Sequence, residues 1–184
     1  MNETIEIIES EFAQAALETF QMVLISMIAA AIVGTIIGLV LHLTSNPLFF
    51  KNKIINGIAG TIINIIRSMP FIILIIVLIP VTRILVGTSI GALAASVSLS
   101  IASIAFFARL VEGAFSEVDK GVIEAAVSTG ASTWLIIRKV LFVEAKPALI
   151  RALTVTFVSI IGYSAMAGAV GGGGIGNLAI MYGY

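Results

Sequence analysis

Charged side chains are absent from long stretches of this chain, and the gaps predict its elements. Residues 19–50, 54–66, 68–82, 84–108 and 152–184 contain no Asp, Glu, Lys or Arg. A helix needs about 20 apolar residues to cross a bilayer. Ala16 to Leu41, Thr88 to Leu110 and Ala152 to about Val170 meet that length unaided. Residues 68–82 would extend only about 22 Å as a helix. The second span is therefore drawn back to about Ile62, with Arg67 near one end, where its guanidinium reaches the headgroups. Four spans are expected. All should be helical, because lipid offers no partner to an unpaired backbone group. The first is not read as a cleavable signal peptide, since it is too long and its flank is acidic.

Composition narrows the class. Hydrophobic residues make up 59% of the 184 and charged residues 11%, whereas a soluble domain is about half apolar and a quarter charged. The expected fold class is all-α, a polytopic transmembrane helical bundle in a single domain, residues 1–184. Net charge is zero, so no polycation is present to seek nucleic acid. Cysteine is absent and His42 is the sole histidine, which argues against a metal site.

Charge asymmetry sets orientation. The first 50 residues hold Glu3, Glu6, Glu9, Glu11 and Glu18 but no Lys or Arg. Lys51, Lys53 and Arg67 follow the first span, and Arg109, Lys120, Arg138, Lys139, Lys146 and Arg151 follow the third. Only Arg83 falls on the other side. The positive-inside rule then places the N-terminus and the glycine-rich segment outside.

The connection from Val111 to Arg151 is long enough to be functional. Val122, Ile123, Ala126 and Val127 form one helical face, between Gly121 and Gly130. A second amphipathic piece, Trp134 to Val143, sets Leu135, Ile136, Val140 and Leu141 against Arg138 and Lys139, and Pro147 marks entry to the last span. Two short helices meeting at Gly130 make an elbow that fits a groove on a soluble partner or lies flat on the inner membrane surface.

Here the residues resemble a known family. Glu124-Ala125-Ala126, three residues, then Gly130 is similar to the EAA loop of ABC importer permeases. Phe142-Val143 stands where that loop ends in Leu-Pro. Arg67-Ser68-Met69-Pro70-Phe71, Val86-Gly87-Thr88-Ser89-Ile90-Gly91, Arg138-Lys139-Val140-Leu141 and Gly162-Tyr163-Ser164-Ala165-Met166 resemble the methionine-importer permease subfamily. The resemblance covers roughly residues 16–184. It implies a permease subunit of the bacterial inner membrane that pairs with a second copy of itself. Its partners would be a cytoplasmic ABC ATPase pair, which binds the ATP, and an extracytoplasmic amino-acid-binding protein. Glu124, Ala125, Ala126 and Gly130 would form the ATPase-docking contact, and the chain would catalyse no covalent step. The family's fifth span, after the glycine-rich segment, is missing from the expected four, which is the pattern of a fragment.

Other features are read from the residues. Gly171-Gly172-Gly173-Gly174-Ile175-Gly176 contains a G-x-G-x-x-G string, but it follows a membrane helix rather than a strand, so a dinucleotide site is rejected. It forms either a plain turn or an irregular outer gate. No G-x-x-x-x-G-K-[ST] string occurs, so no phosphate cradle for ATP is expected in this chain, nor any other cofactor. The serines and alanines of span 3, Ala92 to Ser103, serve close packing or line a polar path. Gly34 and Gly38 make a GxxxG pair, common in membrane helices. Arg67 is read as an anchor and Pro70 as a hinge. Met166, with Tyr163 and Ser164 nearby, is a candidate gate in a translocation path, or core filling. His42 is placed at the inner interface. Glu112, Glu117, Asp119, Glu124 and Glu144 read as a salt-bridged cytoplasmic surface.

The reading is thus a permease subunit of an ATP-driven amino-acid importer, with methionine as the cargo the resemblance implies. A secondary transporter would need an acid near the centre of a span, and none of the four spans carries one there. A membrane enzyme would need clustered catalytic groups. A non-transporting scaffold differs only in what the elbow touches.

Overall fold

The computed structural model describes residues 2–183, with side-chain surroundings from residue 10 onward. Glu3, Glu6 and Glu9 of the acidic flank lie outside those side chains. Helix α1 (Asn2–Ala29) runs through a π-type bulge at Ala30–Gly34 into α2 (Thr35–Ser45). Then come α3 (Lys53–Ser68), α4 (Phe71–Val86) and α5 (Ala92–Ser116). The elbow comprises α6 (Lys120–Ser128), α7 (Thr133–Ile136) and α8 (Phe142–Glu144), with a second π-type turn, Ile137–Leu141, between the last two. Helix α9 (Lys146–Ala167) and the short α10 (Gly174–Tyr182) complete the described chain.

Three segments are long and apolar enough to cross a membrane: Ser10–Ser45, Ala92–Ser116 and Lys146–Gly172. Their outward surface is apolar. Leu17, Phe20, Ile28, Ile32 and Ile36 are all more than half exposed along α1 and α2, as hydrocarbon contact requires. The last span begins with Lys146 and a Pro in its first turn, where the missing N–H costs nothing.

The second span differs from its expected form. It is a broken pair, α3 and α4, bent by 116°. The cause is local. A residue before proline avoids the helical region, and Met69 is extended at φ −82°, ψ 132°. Pro70 has no N–H, while its carbonyl accepts from the Leu74 N–H at 3.1 Å and so starts α4. Asn52 caps α3, accepting from the N–H groups of Ile54 and Ile55. Proline here ends one helix and begins another rather than bending one.

Helix α5 is the axis of the bundle, touching α1, α2, α3, α4 and α9. Its small residues serve that packing: Ser96, Ser98 and Ser103 are buried with Ala92, Ala94, Ala95 and Ala102. The GxxxG pair has a specific task. A Cβ on Gly34 would meet Phe107 at 3.0 Å, and one on Gly38 would sit 2.6 Å from the Ala108 carbonyl oxygen. Those contacts set α1–α2 and α5 side by side in the same direction.

Candidate functional site

The elbow is built as a keel and a face. Asp119 caps α6 by accepting from the Gly121 N–H at 2.7 Å. Gly130 ends the helix at φ +78°. Its N–H bonds to the Val127 carbonyl while the Ala131 N–H bonds to that of Ala126, the Schellman arrangement that favours glycine. Ser132 then caps α7, accepting from the Leu135 N–H. The turn at Gly130 is therefore fixed by hydrogen bonds on both flanks.

Ile123 is buried, and shares one apolar cluster with Ile136, Ile137, Leu141 and Ala152 and with Phe107, Val111 and Phe115 of α5. Phe142 meets Phe115 edge-on, 5.1 Å between centroids. The elbow is continuous with the membrane core through this keel. Glu124, Ala125 and Gly130 face outward and Ala126 is half-buried. The expected single face of Val122, Ile123, Ala126 and Val127 is split. Ile123 enters the core, whereas Val122 and Val127 are 42% and 43% exposed. With Trp134 and Leu135, also exposed, they make the outer face partly apolar. Buried ends of both pieces thus point one way and the Glu124–Ala125 surface the other.

The carboxylates around the elbow follow their expected pattern in part. Arg151 pairs with Glu117 at 3.1 Å, and Glu112 pairs with Arg109, whose guanidinium also donates to the Gly60 carbonyl at 3.1 Å. His42 lies in the last turn of α2, at the end of the first span. It is only 3% exposed, packed between Phe49 and Phe115, with Nδ1 3.3 Å from the Ser116 hydroxyl.

The second zone is the break in the α3–α4 span. Arg67 is exposed in the last turn of α3, just ahead of the break. It lies beside Phe106, its guanidinium carbon 6.0 Å from the ring centroid, and Phe106 stands two residues from the midpoint of α5 (Ala92–Ser116). A cavity of about 160 Å³ is lined by Arg67, Met69, Phe71, Leu74, Phe106 and Tyr163, among others. Phe71 and Tyr163 stack with centroids 4.7 Å apart. Met166 is 49% exposed on α9. Ser164 does not share this open side. It is buried and its hydroxyl donates to the Ile161 carbonyl at 2.8 Å, so it belongs to the packed face. Phe71 entered the sequence reading only as the end of the Arg67–Phe71 string, and Phe106, on α5, was not singled out; only the fold brings it beside Arg67.

Beside the N-terminal part of the first span the glycine-rich segment is a fitted joint. Gly171, Gly173 and Gly174 all have positive φ. The Glu18 carboxylate accepts from the Gly174 N–H at 2.7 Å, and the Thr19 hydroxyl accepts from the Ile175 N–H at 2.9 Å.

Comparison with known proteins fits this architecture. Residues 32–182 match the family described as binding-protein-dependent transport system inner membrane component. The "Probable D-methionine transport system permease protein MetI" of Pasteurella multocida is 50% identical over 92% of this chain and 78% of its own length. The "Methionine import system permease protein MetP" of Bacillus subtilis is 54% identical over 78% of this chain and 65% of its own. A solved structure of the MetNI methionine ABC transporter in inward-facing conformations superposes with a TM-score of 0.91 at 42% identity, covering 97% of this chain and 83% of that one. The chain, with its apolar spans, buried keel and outward elbow, belongs to the family of binding-protein-dependent transport system inner membrane components.

Proposed function

We propose that this chain is the permease subunit of an ATP-driven methionine importer, oriented with its N-terminus outside. Two copies pair in the membrane. Each elbow seats Glu124, Ala125, Ala126 and Gly130 in a cleft of a cytoplasmic ATPase subunit, and an extracytoplasmic binding protein delivers the amino acid. The supporting observation is the shared cluster of Ile123 with Phe107, Val111 and Phe115. Interiors are close-packed and transmit strain, so a push on the outer face of α6 is carried into α5, and α5 touches every other span. A soluble motor can then tilt the bundle between inward and outward openings. Tyr163 and Met166 border the path that opens.

Similarity to the methionine permeases of Pasteurella multocida and Bacillus subtilis supports the cargo. The test is reconstitution in vesicles with the ATPase and binding protein. Uptake of labelled methionine should require ATP, the binding protein and Glu124. Uptake that persists without the ATPase overturns the proposal in favour of a secondary transporter. Orientation is read by labelling a single cysteine, introduced near residue 10 of this cysteine-free chain, with an impermeant reagent from either side.

A further inference from the structure

The cavity at the α3–α4 break holds a charge with no counter-charge among the described residues. Neither ion pair among the described residues includes Arg67. Residues 19–111 and 145–184 contain no Asp or Glu, so none of the described spanning segments offers a carboxylate beside Phe106, and the same segments of a second copy offer none either. A guanidinium with no counter-charge beside a spanning helix is costly away from water, and such residues mark a path or a ligand. The surroundings are shaped for an amphipathic solute. The guanidinium lies over the Phe106 ring, and the stacked Phe71 and Tyr163 rings, with Met69 and Leu74, complete the wall. The broken helix also opens this wall, since the chain between Ser68 and Phe71 is not helical.

We infer that this cavity is a transit site in the permease itself, where Arg67 binds the α-carboxylate of the amino acid in passage and the apolar wall takes its side chain. The inference rests on the importer reading above. Arginine suits the task because its planar fork matches a carboxylate and it keeps its charge at any physiological pH. Arg67 is exposed on the cavity wall, so its guanidinium is free to take a carboxylate in a charge-assisted, bidentate pair. The site is open on one side, as a stopping point in a path must be.

The test uses the full complex of permease, ATPase and binding protein. Wild-type complex is first assayed for ATP-dependent methionine uptake. It is then irradiated with the diazirine analogue of methionine, and the labelled peptides are mapped. Label on Met69 to Leu74, Phe106 or Tyr163 is expected. Arg67→Ala and Arg67→Gln should raise the KM for uptake about tenfold to a hundredfold, as loss of a charge-assisted bond predicts. Arg67→Lys should recover part of it, with co-purification of the ATPase confirming assembly of each variant. Wild-type uptake with no label around this cavity overturns the transit site and leaves the importer reading intact, as does unchanged KM in assembled Arg67→Ala. Absence of wild-type uptake removes the importer reading itself, and the inference with it.

Discussion

The Glu18 carboxylate accepts a hydrogen bond from the Gly174 N–H at 2.7 Å, across 156 positions of chain. It places a negative charge at the first turn of α10, where the free N–H groups and the helix dipole favour one. Thr19 adds a bond to the Ile175 N–H, and at the far end of α10 the Tyr182 hydroxyl donates to Glu11 at 2.8 Å. That bond, with the acceptor's charge, pushes the Tyr182 phenol up, so it stays protonated throughout the physiological range. A helix of nine residues is thereby held along the N-terminal part of α1. Glu18→Ala should lower stability by about 1 kcal/mol, the usual cost of losing a cap. Glu18→Gln should lose less. Thermal unfolding in detergent, followed by fluorescence, distinguishes them, and equal midpoints for all three proteins would contradict the assignment.

Gly38 and Gly57 offer a matched comparison. A Cβ on Gly38 would press on the Ala108 carbonyl and Val111, whereas one on Gly57 meets nothing within 4 Å. Gly38→Ala is expected to destabilise the bundle by about 1–3 kcal/mol through overpacking. Gly57→Ala should be neutral or slightly stabilising, since alanine is the better helix former. The yield of folded protein after detergent extraction reports the difference.

At the elbow, Gly130 has φ +78° with nothing near its missing side chain. Gly130→Ala therefore meets a backbone cost of about 1–2 kcal/mol and no clash. If the bend positions the docking face, this variant should weaken coupling, seen as ATP hydrolysis per methionine transported, more than it lowers the unfolding temperature. Glu124→Lys alters only the exposed face. It should reduce ATPase co-purification without changing the stability of the isolated permease.

The exposed Arg151–Glu117 pair and the buried Ile123 predict opposite outcomes. Both partners of the pair are well exposed, at 70% and 64%, so Arg151→Gln should cost under about 1 kcal/mol. Ile123→Ala removes a side chain that is 1% exposed and should cost about 2–5 kcal/mol. It should also loosen the elbow from α5. Hydrogen exchange in residues 120–128 would rise for Ile123→Ala and stay unchanged for Arg151→Gln.

Much of this arrangement could be read from residues alone, and what escaped has physical causes. Spans 1, 3 and 4 are legible because hydrocarbon excludes charge over a length that counting detects. Pro147 and Gly130 mark an end and a bend by backbone chemistry that needs no neighbours. In the second span the place of the bend was legible at Pro70, but not its size: the pre-proline restriction holds Met69 extended and breaks the span by 116°. Ser164 and Met166 lie two residues apart and face opposite ways, buried and open, which composition does not reveal. In the elbow, Val122 and Ile123 are equally apolar, and only tertiary packing chose Ile123 for the core. Glu18 and Gly174 could not be linked by any local rule.

The π-type bulge at Ala30–Gly34 sets the phase between the two ends of the first span. Above it Met22 and Ser26 are buried, and below it Gly34 and Gly38 take the inward side. The bulge is one residue wider than a regular turn and absorbs that residue without turning the helix below it. Inserting a further residue beside it would rotate everything beneath by about 100°, so that Val33 and Ile37 arrive where Gly34 and Gly38 now admit α5, and neither would fit. Single-residue insertions in this window should therefore be among the least tolerated changes in the chain, whereas loss of one bulge residue restores a regular helix with the two glycines in place.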